Sequence, residues 1–275
     1  MSTTTKPVTE YVFDSPSDAG REQLGHLQTL LDPITTRFLG DLGVQPGMRC
    51  LDLGSGGGSI ARWLAHRVGR AGEIVAVDIE TEQIEVPEQV EVHQHDIRKG
   101  LPMEGGFDLI HGRLVLMHLD DRERVLAELI DALAPGGWLV LGETPDRPQE
   151  VLAAPTADDA ALADRVLGAG IRAVREVGVA VEWAYEVEQH LIEAGLTDIR
   201  GCEFCPMITG GDPGALLMSS YVAQAKPLLL AQGVAQEELA RYHALMRDPR
   251  FRAWPFLRLV TTAGRKPHTR RSTGA

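Results

Sequence analysis

From Arg21 to Leu42 apolar residues recur at Leu24, Leu27, Leu30, Leu31, Ile34, Phe38 and Leu42, near the spacing of an amphipathic helix. Pro33 falls inside this run. Proline removes a donor and crowds the preceding turn, so two helices are expected there. After the turn "GVQPGM" the pattern changes to short apolar runs alternating with helical ones. "RCLDLG", "EIVAVDI", "VEVHQHD", "FDLIHG" and "WLVLGE" read as successive strands. Between them, "SIARWLAHRV" places Ile60, Trp63, Leu64 and Val68 on one helical face, with Ser59 as its cap. "DDRERVLAELIDALAPGG" is a second amphipathic helix, capped by Asp120 or Asp121 and ended by Pro135, Gly136 and Gly137. Apolar strands alternating with helices imply a parallel sheet covered on both faces.

One crossover is too short for a full helix. About ten residues, Glu80 to Gln89, separate the second and third strands, where a dozen or more is usual. From Pro145 to Gly195 the chain reads as helical, and "TDIRGCEFCPMI" as a sixth strand. Two helical stretches, "GALLMSSYVAQAKPLLLAQG" and "AQEELARYHALM", precede a final strand in "FLRLVTTAGRKP". Residues 1 to about 10 are expected to be disordered.

Composition narrows the class. The chain has 275 residues, enough for one large domain or two small ones. No apolar run approaches the roughly 20 residues of a membrane span, and the N-terminus lacks the apolar stretch of a secretory signal. A cytoplasmic protein is expected. With 27 basic and 39 acidic residues, the net charge is −12, a poor match to nucleic acid. The basic tail with Arg265, Lys266, Arg270 and Arg271 is expected to be a solvated terminus. Of the three cysteines, Cys202 and Cys205 form a lone CxxC. Zinc needs four ligands and no second pair is near, so no metal site is expected.

The candidate chemistry lies in "CLDLGSGGGS", where four glycines occupy five positions between a strand and a helix. Glycine admits unusual dihedrals and close approach of a ligand to the main chain. A helix start offers free N–H groups and partial positive charge. A phosphate-binding loop needs Lys then Ser or Thr after its last glycine, and here Ser59 and Ile60 follow Gly58. A dinucleotide fingerprint fits weakly, because Ser59 stands at its third glycine position.

The stretch "LDLGSGGGS" closely resembles the first motif of class I S-adenosylmethionine-dependent methyltransferases, with Asp52, Gly54, Ser55, Gly56 and Gly58 in place. The resemblance continues in order. "IVAVDI" is similar to that family's second strand, which implies that Asp78, with Ile79 beside it, holds the ribose hydroxyls. "HQHDIRKGLP" is similar to the third motif, which implies that Asp96, beside Ile97, accepts from the adenine amino group. "FDLIHGRLVLMHLDDRERVLAELIDALAPGGWLVLGE" is similar to the segment that follows. The match runs from about Asp41 to Glu143 and is most like small-molecule methyltransferases of the ubiquinone-biosynthesis-like branch, including natural-product tailoring enzymes.

The resemblance implies a doubly wound, mostly parallel, seven-stranded α/β sheet of Rossmann-like type with helical lid insertions at roughly 146–180 and 212–250. It implies one domain over 1–275: cap helices in 1–42, a cofactor-binding half in 43–145, and a C-terminal half with the lid in 146–275. S-adenosylmethionine would be the cofactor and S-adenosylhomocysteine the product. Tyr11 would close over the cofactor or else staple the first helix. Arg113 would pair with the cofactor's carboxylate or else form a structural salt bridge. A proton acceptor for the reaction is sought among His111, His118 and Glu143. Trp183, Tyr185, Met207, Met218, Tyr221, Tyr242, Met246 and Trp254 are either pocket lining or ordinary core. The implied activity is methyl transfer to O, C or N of a small organic molecule. An NAD(P)-dependent oxidoreductase and a non-catalytic S-adenosylmethionine-binding protein are the alternatives. A small-molecule substrate is the expected partner, and a homodimer stays open.

Overall fold

A computed structural model describes residues 18–145, 147–255 and 257–268. In chain order its elements are α1 (Asp18–Asp41), β1 (Arg49–Leu53), α2 (Ser59–Val68), β2 (Glu73–Asp78), β3 (Val90–Gln94), β4 (Phe107–Arg113), α3 (Arg122–Ala132), β5 (Leu133–Glu143), β6 (Glu150–Ala153), α4 (Ala157–Glu176), α5 (Trp183–Glu193), β7 (Thr197–Phe204), β8 (Ile208–Thr209), α6 (Pro213–Gln224), α7 (Lys226–Ala231), α8 (Gln236–Leu245), β9 (Arg252–Trp254) and β10 (Leu259–Arg265). They sort into two compact units.

The larger unit takes in residues 27–147, 181–206 and the chain from 257. It holds a seven-stranded sheet in the order β3-β2-β1-β4-β5-β10-β7. Strands β1 to β5 run parallel, and β10 runs antiparallel to both β5 and β7. The chain moves outward from β1 to β3, then returns to β4 on the other side of β1. This reversal opens a crevice at the carboxyl ends of β1 and β4. Alternation sorts the side chains. Cys50, Ile74, Ala76, Leu109 and Val140 pack with Ile60, Leu64 and Val68 of α2 and Leu39 of α1 in one buried cluster. Leu51, Leu53, Val75, Val77, Leu139 and Leu141 point to the other face and are buried as well. The crossover after β2 contains no helix, as its length requires.

The smaller unit includes 148–180 and 207–256 together with the start of α1. Within it α4 packs against α6, α7 and α8. Strands β6, β9 and β8 form a separate three-stranded antiparallel sheet. Trp183, in the larger unit, and Met218, Tyr242 and Met246, in the smaller, are buried core, whereas Tyr185, Met207 and Trp254 are exposed.

Several expectations are corrected. Pro33 does not divide the first helix, which runs unbroken over 24 residues. Buried Leu31, Thr35 and Leu39 anchor it on both sides of the proline, and Thr36 Oγ1 donates to the Asp32 carbonyl at 2.8 Å. Packing therefore outweighs the lost donor. The cap of α2 is Gly58 in the left-handed region, with Ser59 the first helical residue. Asp121 stands at the cap of α3, but its carboxylate pairs with Arg124 instead of a backbone N–H. The stretch read as wholly helical after Pro145 contains β6. The predicted sixth strand splits into β7 and β8 on either side of Pro206, which has no N–H to continue a ladder. The early residues expected to be disordered, and Arg270 and Arg271, lie outside the described residues.

Leu64 is fully buried between α2 and the sheet. Leu64→Ala is expected to lower the unfolding free energy by about 2–5 kcal/mol, read as a lower midpoint in urea at unchanged slope.

Candidate functional site

Every strand of the parallel set ends at the same edge of the sheet, and the predicted site residues gather there. The loop after β1 is built of left-handed glycines, Gly54 (φ 64), Gly56 (φ 55) and Gly58 (φ 75). Gly54 N–H donates to the Val77 carbonyl at 2.8 Å. Ser55 Oγ donates to the Asp52 carbonyl at 2.8 Å. Gly56 N–H donates to Asp78 Oδ2 at 2.8 Å. The glycines are required by the protein itself as well as by any ligand. The Val115 side chain fills the space where a Cβ of residue 54 would stand, and the far end of Gln28 does so at Gly57. Val86 and Ile84 crowd Gly58 in the same way.

Asp78 ends β2. Its Oδ1 accepts from Glu80 N–H at 3.1 Å. Burial raises its pKa, and the N–H groups of Gly56, Glu80 and Ile79 oppose that rise. Of the four lone pairs on its two oxygens, these N–H groups do not take all, and the carboxylate can still accept. Ile79, next in the chain, is 45% exposed, unusual for a large apolar residue at the end of a buried strand.

Asp52 and His111 sit opposite each other in the β1–β4 register and share a face of the sheet. His111 Nδ1–H donates to Asp52 Oδ1 at 2.7 Å, with both side chains buried. Asp52 Oδ2 is buried without a partner among the described residues.

Arg113 and Asp96 both have protein partners. Arg113 Nη2 pairs with Asp32 at 2.9 Å and Nη1 donates to Thr35 Oγ1 at 3.0 Å. The structural salt bridge is the arrangement present. Asp96 caps the short turn Ile97–Lys99 and accepts from the Arg98 guanidinium, with Nη2 to Oδ2 at 2.9 Å. That hydrogen bonding holds its carboxyl below the usual range. Ile97 is buried.

Glu143 ends β5 at 1% exposure. Its Oε1 accepts from Leu116 N–H at 3.0 Å, and Oε2 is buried with no partner among the described residues. Burial pushes its pKa up to about 8, against the N–H groups of Leu116, Met117 and Val115 and the charge of Arg122. His118 ends the turn Leu116–His118. Burial pushes its imidazole down to about 4, so it is neutral at pH 7. Tyr11 lies outside the described residues. Cys50, Cys202 and Cys205 are free thiols. The described residues contain no His, Cys, Asp and Glu group able to hold a metal ion, and no helix among them is long and apolar enough to cross a membrane.

Asp32, Thr35, Arg98, Val115 and Gln28 escaped the sequence reading. Their partners lie far along the chain, or in Arg98 the signal was a side chain folding back two residues.

A switch-point crevice with a left-handed glycine turn and a carboxylate closing β2 defines a Rossmann-like cofactor-binding sheet. Comparison with known proteins agrees. A family described as a methyltransferase domain matches residues 24–198, and the chain belongs to it. Methyltransferase str2 of Strobilurus tenacellus is 36% identical over 115 residues, 39% of this chain and 41% of that protein. The ubiquinone/menaquinone biosynthesis C-methyltransferase UbiE of Laribacter hongkongensis is 32% identical over 114 residues, 38% of this chain and 46% of its own. The matched stretch thus spans less than half of either curated relative. Among solved structures, YcgJ of Bacillus subtilis shares the fold at TM-score 0.53 and 17% identity, covering 84% of this chain and 97% of that one.

Gly54→Ala is expected to lower stability by about 1–3 kcal/mol through its positive φ and the collision with Val115. Adding Val115→Ala should recover part of the loss, since it relieves the collision and leaves the dihedral cost. Thermal melts of the single and double variants check this. For Glu143 the sign is fixed by a pKa raised from 4.5 to about 8 in the fold. The native state holds a proton that the unfolded chain releases. Its stabilising contribution is full below about pH 4.5 and is lost as pH rises toward 8, at up to about 1.4 kcal/mol per pH unit. Glu143→Gln should therefore gain on the wild type steadily between pH 5 and 8 in urea titrations. A constant difference would contradict the assignment.

Proposed function

We propose that the protein is an S-adenosylmethionine-dependent methyltransferase acting on a small organic molecule, with S-adenosylhomocysteine as product. The observation that carries this reading is the Gly56 to Asp78 hydrogen bond. It places a bare stretch of main chain against a carboxylate that still has lone pairs for a vicinal diol. Gly54, Ser55 and Gly56 then receive the donor's amino-acid portion beside the start of α2, whose cap is a glycine with no side-chain hydrogen bond. Asp78 takes the ribose, and exposed Ile79 lies against the purine. Ile97 supports the purine's edge, and Asp96 reaches it once Arg98 is displaced. Arg113 serves by holding α1 to the end of β4.

Bound, the cofactor supplies an electrophilic methyl group on a sulfonium. The chain's own contribution is alignment and desolvation, and alignment alone can be worth effective molarities of about 10⁵–10⁸ M. Of the groups proposed to take the acceptor's proton, His111 has the geometry of an oriented base. Asp52 fixes its Nδ1–H and leaves Nε2 to accept. Asp52 thus serves through His111 beside the cofactor loop.

The chain is read as one methyltransferase domain over 1–275, with helical insertions at 146–180 and 212–250. The acidic charge supports a small molecule over nucleic acid as partner. Cytoplasmic residence and a homodimer belong to the same proposal.

Calorimetry tests it. S-adenosylhomocysteine is expected to bind and NAD(H) not to, with Asp78→Ala weakening the former about tenfold or more. Undiminished affinity in a folded Asp78→Ala protein would sink the reading.

A further inference from the structure

We propose that Glu143 is a positioning residue that holds the glycine loop in shape through the turn 114–118 and the side chain of Val115. The inference rests on the reading that residues 54–58 hold the methyl donor.

Immediately after β4 the chain takes an unusual path. Leu114 lies in the left-handed region at φ 58, a conformation that a branched side chain holds only when its surroundings fix it. Two anchors do so. Leu114 N–H donates to the Gly142 carbonyl at 2.7 Å. The next residue of β5, Glu143, accepts Leu116 N–H on Oε1 at 3.0 Å, and the neighbouring Val115 and Met117 amides add a favourable field at its carboxyl. Leu116 and Met117 are buried, which seats the turn.

Held in this way, the turn sends Val115 into the place that a Cβ of Gly54 would take. Gly54 is tied on its other side by its N–H to the Val77 carbonyl. The first glycine of the loop is thus clamped between β2 and the turn after β4. Glu143 is in register with Val260 of β10 and alternates onto the sheet face opposite His111 and Asp52; its hydrogen bond to Leu116 N–H links it to the turn that carries Val115. Its one hydrogen-bonded oxygen is spent on the Leu116 amide. The same turn ends in His118, so a single buried carboxyl sets both the donor loop and a candidate base.

Hydrogen exchange without any ligand, followed by donor affinity, tests the clamp in the full chain. Exchange at Gly54 to Gly58 should speed up about tenfold in Glu143→Ala and in Val115→Ala. The double variant should be no faster than the quicker single, because both remove one linkage. Glu143→Gln keeps a carbonyl acceptor for Leu116 and should recover near-normal protection. In turnover, Glu143→Ala should raise KM for S-adenosylmethionine more than it lowers kcat. Unchanged exchange at 54–58 in either folded alanine variant, or additive effects in the double, would overturn the clamp. If Glu143→Ala does not fold, Val115→Ala carries the same exchange test alone. Should the wild type bind no methyl donor, the proposed function fails while the exchange result still decides the clamp.

Discussion

The hydrogen bond from Gly56 N–H to Asp78, at 2.8 Å, ties together the two features that make this sheet edge a site. It fixes a loop of left-handed glycines, and it opposes the upward push that burial exerts on the pKa of the carboxyl at the end of β2. A hydrogen bond to a charged group contributes about 1.5–3 kcal/mol, several times what a single glycine loses in chain entropy relative to alanine. The loop is therefore set before any ligand arrives, and little ordering remains to oppose binding.

The same economy governs the other polar groups at the edge. Asp52 and His111 are buried as a pair, and Arg113 is half-buried with Asp32 beside buried Thr35. Removing one partner of such a pair leaves a stranded buried charge, far costlier than an exposed one. The sheet's two faces are treated differently. On the α2 face polar side chains pair with one another, while Glu143 on the other face accepts the Leu116 amide of the turn after β4. Strand alternation decides which residue does which.

Much of this was legible in the sequence. The strands β1 to β5 announce themselves as apolar runs bounded by glycine, proline or aspartate, and Asp52, Asp78 and Glu143 fall at strand ends by counting alone. Local signals failed where distant partners decide. Pro33 looks like a break until Leu31, Thr35 and Leu39 are seen buried around it. Strands β6, β8 and β9 are a few residues each and find partners on the far side of α4 or α8, so no window of sequence contains the pair. Arg113 reads equally as a ligand for an anion or half of a salt bridge, and its partner Asp32 stands some eighty positions earlier, where no local signal points to it. The glycines were read as room for a ligand. Val115, Val86 and Ile84 show that the protein's own packing demands two of them, Gly54 and Gly58, too.

The central claim is that polypeptide at 54–58 and the carboxylate of residue 78 receive a methyl donor. A crystal structure of the full chain grown with S-adenosylhomocysteine addresses it most directly. The ligand's amino-acid end should lie along the glycine loop, with both ribose hydroxyls on Asp78. Density for the ligand elsewhere, with the Asp78 carboxylate unoccupied, would contradict it.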